Sequence, residues 1–575
     1  MAVEGTCSFD PIDPEVRLLY FLYVGKEYLD YQPGNWFVHN YFLAKNVPSI
    51  EELAGNTEKQ LLPVQIILKA LESNLVPHSE TLVFALAVCC RQMKSESLRH
   101  AAYVALEKVC VSPQHFILFI KFASKLRKQK ELTLSGDSKN GWGHGLRKAV
   151  NNWYLSKNPL ELAKCVTRYR GRYGWKHKDI IKLSHPQPDS PEKELVLKYI
   201  IRGLEETKKL YSDDLRFMEI IKYIQEVEDF KHCTDETQAA ELLKSYKLTL
   251  DHVPGHLLKS KEVWNALISS MDLTTLLNNL QRIHNLELLK PNSPTVTKIV
   301  DQLINEENLA RDKVHPALIL ITIRDYKINF RLQRPLTYEK RKIKEQTKKP
   351  FPAPPKPNSK VIEALYKTLN LSFTVSNILF YGLRYMVTIN MNKVMIDTRT
   401  WRSGNVTGAE AGCIIALALL RTEKHVTVAT FKNVGIHMVN MDKTASFGQA
   451  MRRLQQMPVG NVNLAKPMLW ATHQSNKYDV FINVVDQIFD KSDAAEEALT
   501  AYKTKLKLPN TKLINCAVCS SSTYRSDKSS KNTLTISGFD ATVPFVIQAF
   551  AKSFVSCVTI TLFSFYRSGP VLLYI

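Results

Sequence analysis

SPQHFILFIKFASKLRKQ, residues 112–129, shows how most of this chain folds. Its apolar residues recur at intervals of three and four, the periodicity of a helix with one buried face. It opens on Ser112-Pro113, where the serine oxygen can accept a free backbone N–H of the first turn. Proline fixes φ there, at a position where its missing N–H does no harm. The same chemistry stands at Asn158-Pro159, Ser190-Pro191 and Ser293-Pro294. The same periodicity runs through ETLVFALAVCCRQ (80–92), EKELVLKYIIRGLEETKKLY (192–211) and PTVTKIVDQLINEENLARD (294–312). From about residue 80 to residue 326 helix is the dominant signal and strand patterns are nearly absent. Short connections between successive amphipathic helices favour antiparallel pairs stacked as a solenoid, and without a strict period the repeat is degenerate.

Further along, the composition changes. RPLTYEKRKIKEQTKKPFPAPPKPNSK (334–360) is too rich in proline for a helix interior and too rich in lysine for burial, so it reads as an extended basic linker or loop. Beyond it, strand-like RYMVTINM (384–391), HVTVATF (425–431), YDVFINVVD (478–486) and TKLINCAV (511–518) are separated by helix-like EAGCIIALALLR (410–421), FGQAMRRLQQM (447–457) and AAEEALTAYKTKL (494–506). Such alternation implies a mainly parallel sheet covered on both faces, a second domain of about 180 residues.

Length and charge agree with this division. A chain of 575 residues exceeds what one hydrophobic core usually organises. The hydrophobic share, 45%, argues against global disorder, and the formal charge of +22 favours encounter with polyanions. The N-terminus lacks the basic-then-apolar pattern of a secretory signal, and the ten cysteines are scattered, which fits a reducing compartment. Ser553 to Tyr566 carries no charge but is shorter than the roughly 18 residues needed to cross a bilayer. The alternatives there are a packed or spurious tail and a tail anchor, and a membrane is not an expected partner.

Charge concentrates in GWGHGLRKAVNNWYLSKNPLELAKCVTRYRGRYGWKHKDIIKLSH, residues 141–185. Ten Lys/Arg stand there against Glu161 and Asp179, a net of +8, interleaved with Trp142, Trp153, Tyr154, Tyr169, Tyr173 and Trp175. So many cations repel one another unless a polyanion lies over them, and exposed rings can stack on unpaired bases. The competing reading for the aromatic residues is packing between helices, which Trp142 and Trp153 are well placed to do. His185 ends an apparent helix before Pro186. It reads either as a C-terminal cap or as a hydrogen-bond donor to phosphate or ribose. Arg168 and Arg172 are four apart, so on a helix they would share one face and grip adjacent phosphates.

The strings FALAVC (84–89), GWG-x-x-LRKA-x-x-x-WY (141–154), YGWKHKDIIKLSH (173–185), LKSKEVW (258–264) and HPALILI (315–321) resemble, in this order, the TROVE-domain family of Ro ribonucleoproteins. The likeness runs through nearly the whole chain. It implies an α-helical ring of HEAT-like repeats with a basic central hole, over residues 1–369. An α/β, Rossmann-like von Willebrand factor A-like domain would follow over 370–552, and then an apolar tail, 553–575, that matches nothing in the family. It further implies binding of Y RNA duplex on the ring's outer surface, and entry of the single-stranded 3′ end of misfolded small RNAs into the hole. Positions implicated in Y RNA contact match Arg168, Arg172 and His185; Arg147, Lys148, Lys164, Arg170, Lys176 and Lys178 extend the basic set around them.

Family A domains also carry an Asp-x-Ser-x-Ser metal site after the first strand, completed by a distant Thr and Asp. Here the matching positions are Asn390, Asn392 and Val394, with Val462 at the threonine and only Asp486 retained. A hard divalent cation needs several oxygens, preferably charged, so no metal cofactor is expected. Cys516-x-x-Cys519 lies in an expected strand without a second cysteine pair, a weak case for zinc or redox use. GxxxxGK[ST], GxSxG and HExxH signatures are absent, which removes the commonest sequence-readable hydrolase sites. The expectation is a non-catalytic RNA-binding protein of a small cytoplasmic ribonucleoprotein, possible in the nucleus as well. Its rival is a protein-interaction scaffold acting through the A-like domain, and a nuclease is a distant third.

Overall fold

All four Ser-Pro and Asn-Pro dipeptides begin helices. Ser112 accepts the His115 N–H at 3.2 Å, Asn158 that of Glu161 at 2.8 Å, Ser190 that of Lys193 at 3.3 Å and Ser293 that of Thr295 at 3.3 Å. The computed structural model describes residues 12–34, 42–131, 142–169, 171–212, 214–328, 356–375, 382–488, 494–522 and 531–552. Most of the basic Pro/Lys-rich stretch, Arg170 and the apolar tail lie outside the described residues.

Helices begin earlier than periodicity suggested, at Pro14–Val24 and Pro48–Ala54, and continue pairwise to Pro316–Ile328 and Ser359–Val375. The first is nearly all apolar (PEVRLLYFLYV) and every residue from Leu18 to Val24 is buried, so it has no amphipathic stripe to detect. Each helix packs chiefly on its near neighbours in sequence: Ser79–Arg91 on Glu96–Val109 and Pro113–Glu131, Pro159–Thr167 on Pro191–Arg202 and Met218–His232. That is the contact pattern of a helical-repeat array.

The α/β part is built on a seven-stranded sheet of order β1-β7-β6-β5-β2-β3-β4. The strands are β1 (Asp30–Tyr31), β2 (Arg384–Ile389), β3 (His425–Phe431), β4 (Ile436–Val439), β5 (Val480–Val485), β6 (Lys512–Ala517) and β7 (Thr533–Ser537). β2, β3, β5 and β6 fall where alternation placed them. β4, β7 and β1 were not anticipated; β4 is antiparallel to β3 and the other pairings are parallel. Period two divides the sheet's side chains. Met386, Phe481 and Leu513 face a small core with Met468, Leu499 and Tyr502, while Val387, Ile482 and Ile514 face the core shared with Gly408–Thr422 and the helical array.

Both ends of the array meet the α/β part. At its start, Asp30 and Tyr31 pair with Thr535 and Ile536, the Thr535 N–H donates to Leu29 O at 3.1 Å, and Tyr20 donates to Lys531 O at 3.3 Å. At its end, Arg324 pairs with Glu410, and Asn405 Nδ2 donates to Asp325 Oδ1 at 2.7 Å. The helices therefore form a closed circuit whose clasp is the sheet domain.

Candidate nucleic-acid interface

Residues 142–169 and 171–185 form three short helices and one hairpin. In His144–Leu155 the apolar Leu146, Ala149, Val150, Trp153 and Tyr154 are buried, which leaves Arg147 and Lys148 exposed; Arg147 Nε donates to the Trp142 carbonyl at 2.8 Å. Pro159–Thr167 buries Leu162, Ala163 and Val166 and exposes Lys164. His177–Ser184 buries Ile180 and Ile181 and exposes Lys178 and Lys182, one turn apart. Lys176 is exposed just ahead of it, its N–H held by the Asp179 carboxylate at 3.2 Å. Asn151 Nδ2 donates to Ser184 O at 3.1 Å, joining the first helix to the end of the last. His185 then adopts the left-handed conformation (φ 51°, ψ 60°), its N–H bonded to Ile181 O at 2.9 Å, and its side chain is exposed. It is thus a backbone cap and a solvent-facing ring at once.

The aromatic residues divide differently. Trp153 stacks on Phe116 at 3.7 Å between centroids and donates to Cys110 O at 2.6 Å. Tyr154 bonds the buried His177, and burial drives that histidine's pKa down to about 4. Trp142 packs on Trp175 at 6.0 Å. These rings build the support that carries the cations; base stacking through Trp153 or Tyr154 is excluded by their burial. Lys157 also turns inward, its Nζ 3.5 Å from the centre of the Trp153 ring.

Arg168 and Arg172 do not share a helix face. The helix ends at Thr167, and after Gly171 the chain reverses in a two-residue hairpin closed by both N–H···O bonds between Arg172 and Trp175, each 2.9 Å. Its central residues, Tyr173 and Gly174, both have positive φ (53° and 83°), as a type I′ turn requires. The two guanidinium groups nonetheless converge, because both face Asp251, 83 residues on from Arg168. Arg168 donates to Asp251 Oδ2 from Nε at 2.9 Å and Nη2 at 2.7 Å, and Tyr169 donates to the same oxygen at 3.0 Å. Arg172 Nη1 stands 3.7 Å from Oδ1, and its guanidinium lies 4.8 Å from the Tyr169 ring centre. Burial, and then the Asp251 charge, raise the Tyr169 pKa to about 12, so its hydroxyl stays a donor at neutral pH. Asp251 is not among the residues the sequence points to, and Tyr169, one of the interleaved aromatic residues, acts here through its hydroxyl on Asp251. The Tyr-Gly pair between Arg172 and Trp175 was the available signal for the hairpin; no local signal pointed to Asp251.

At the ends of β2 and β5, Asn390 Nδ2 donates to Asp486 Oδ1 at 2.9 Å, and Asn390 Oδ1 accepts the Asn392 N–H at 3.2 Å. The Asn392 oxygen caps the short helix Lys393–Asp397 through the Met395 N–H at 2.8 Å. Val394 and Val462 are partly exposed and offer no donor oxygen from their side chains. An amide N–H thus points at the one carboxylate where a cation would sit, and the set does not fit a hard divalent ion. Cys519 falls beyond the end of β6 instead of within it, and burial raises the pKa of its thiol to about 11. Among the described residues no group of three or more His, Cys, Asp or Glu is placed to hold a metal, and no helix is long and apolar enough to cross a membrane.

Comparison with known proteins extends these observations. The TROVE domain family matches residues 50–369, and the Ro60 vWA domain matches residues 384–551. A Caenorhabditis elegans protein described as RNA-binding protein RO60 is 24% identical over 601 residues, covering 94% of this chain and 88% of that protein. A Deinococcus radiodurans protein of the same description is 25% identical over 494 residues, covering 85% of each. The crystal structure of the Deinococcus radiodurans RO (RSR) protein superposes with a TM-score of 0.78 at 23% identity, over 94% of this chain and 99% of that one. At that identity the superposition establishes the fold.

Proposed function

Since this chain belongs to the TROVE-domain family, we propose that it binds RNA, and that its ligands are small structured RNAs of the Y type together with misfolded small noncoding RNAs. The observation that carries this reading is the exposed basic surface of residues 144–185. There Arg147, Lys148, Lys164, Lys176, Lys178, Lys182 and His185 are exposed, in the same segment as Arg168 and Arg172, whose guanidinium groups both face Asp251. Two forked guanidiniums and several exposed ammonium groups suit phosphate contacts, and such contacts are indifferent to sequence. The role is binding and quality control in a small cytoplasmic ribonucleoprotein, with no catalytic step.

Arg168→Ala with Arg172→Ala is expected to weaken binding of a small hairpin RNA by roughly 1 to 3 kcal/mol, and to flatten the salt dependence by one or two contacts. Titrations at several salt concentrations test this, with a melting curve to show that the variant is folded. Unchanged affinity in a folded variant overturns the reading. Within the same proposal, a single-stranded 3′ end threads the closed circuit of helices while an A-form duplex stays on the rim. A hairpin with a 3′ tail of about ten nucleotides should then bind better than its blunt counterpart, whatever the tail's sequence. Equal affinities at physiological salt would remove threading and leave the outer surface as the site.

A further inference from the structure

Arg168 and Arg172, the cations best suited to gripping phosphate, already face an anion. On the reading that they contact RNA, we propose that Asp251 is a built-in counter-anion, and that RNA engages them by exchanging a phosphate for its carboxylate. The exchange lowers the affinity of any polyanion for this spot by a common factor, so tight binding there needs further contacts elsewhere on the RNA.

Four features support the exchange. First, the Asp251 carboxylate occupies the position a phosphate would take. Oδ2 accepts from Arg168 Nε at 2.9 Å, from Arg168 Nη2 at 2.7 Å and from the Tyr169 hydroxyl at 3.0 Å, while Oδ1 faces Arg172. Carboxylate and phosphate oxygens are interchangeable acceptors for a guanidinium fork. Second, the trio carries a net +1 instead of +2, which lowers the potential that draws any polyanion to this spot. Third, the tethers differ in strength. Arg172 Nη1, at 3.7 Å, is beyond a direct hydrogen bond and is held over the Tyr169 and Tyr173 rings, so it exchanges first. Fourth, exchange needs no unfolding. The three charged side chains remain 31 to 39% exposed, whereas the turn that presents Asp251, Leu250–His252, is anchored by His252, buried and accepting the Thr249 N–H at 3.1 Å. An ion pair this accessible contributes little to folding, so its removal should be read mainly in binding.

The test uses the full chain and two probes, a small tailed hairpin RNA and a single-stranded oligoadenylate of equal length, titrated from about 50 to 200 mM salt. Asp251→Asn should bind both more tightly, by roughly two- to five-fold, the factor that one exposed ion pair is worth. Its salt dependence should steepen by about one contact, and the gain should be a similar factor for both probes, because each displaces the same carboxylate. Asp251→Glu, which keeps the charge, should stay close to the parent. Weaker binding by a folded Asp251→Asn variant would overturn the proposal, making Asp251 an orienting group for the arginines. So would a gain that persists when Arg168 and Arg172 are both alanine. If the double alanine variant alone binds like the parent, the interface reading fails and takes this proposal with it; if that variant binds weakly while Asp251→Asn gains nothing, only the exchange is wrong.

Discussion

Asn390 shows what one atom can replace. Its amide nitrogen donates to Asp486 where a carboxylate would need a cation to stand beside that aspartate. Asn390→Asp alone should therefore destabilise the protein, by roughly 1 to 3 kcal/mol at neutral pH, since a hydrogen bond to a buried carboxylate becomes a repulsion. Combining it with Asn392→Ser, Val394→Ser and Val462→Thr restores the family's ligand set. Mg²⁺ at about a hundred times its dissociation constant should then stabilise the variant by about 2.7 kcal/mol, while the parent's melting temperature stays unmoved. Scanning calorimetry with and without Mg²⁺ checks both, and a saturable site in the parent contradicts the first half. The depleted oxygens were legible in the sequence because ligand chemistry is a property of residue type. That the amide would satisfy Asp486 was not, since it depends on how the ends of β2 and β5 approach.

Among elements, the helix starts were the most legible feature, because a cap is a contact between residues two or three apart. Removing one, as in Asn158→Ala or Ser190→Ala, should cost about 1 kcal/mol in urea unfolding, with the m-value unchanged. The hairpin at Arg172–Trp175 was legible only in part. Four-residue spacing suggested a shared helix face, whereas a turn with two positive φ angles ends any helix. Gly174→Ala meets no neighbouring atom but forces φ +83° on an alanine, so stability should fall by about 1 kcal/mol. RNA affinity should fall with it if the hairpin presents Arg172 to the ligand, and equal affinity would detach the turn from the interface. β1 was not legible at all, since two residues carry no periodicity. Tyr31, buried and bonded to His78 at 3.0 Å, anchors it, and Tyr31→Ala should cost roughly 3 kcal/mol.

Across the whole molecule, four histidines, His78, His177, His252 and His315, couple the fold to acidity. Burial lowers the pKa of His78 and His315 to about 3, and that of His177 and His252 to about 4, from an ordinary value of 6.5. The unfolded chain takes up protons below 6.5 that the folded one refuses, so stability is intact above 6.5 and is lost as pH falls toward 4. The slope approaches 1.4 kcal/mol per pH unit for each histidine, an order-of-magnitude figure. Melting temperatures between pH 7.5 and 4.5 measure it, and a flat profile would mean that these rings protonate without unfolding. The class of each half was legible from periodicity, but the clasp between them was not, because no local pattern encodes a partner so distant. That distance has a consequence in time. Asp30 and Tyr31 wait for Thr535 and Ile536, about 500 residues later, which at 5 to 20 residues per second is roughly 25 to 100 s of synthesis. For that interval the first helices stand beside an unpaired strand edge, and the nascent chain needs chaperone cover. A stop codon shortly before β7 would strand the beginning of the protein as surely as its end.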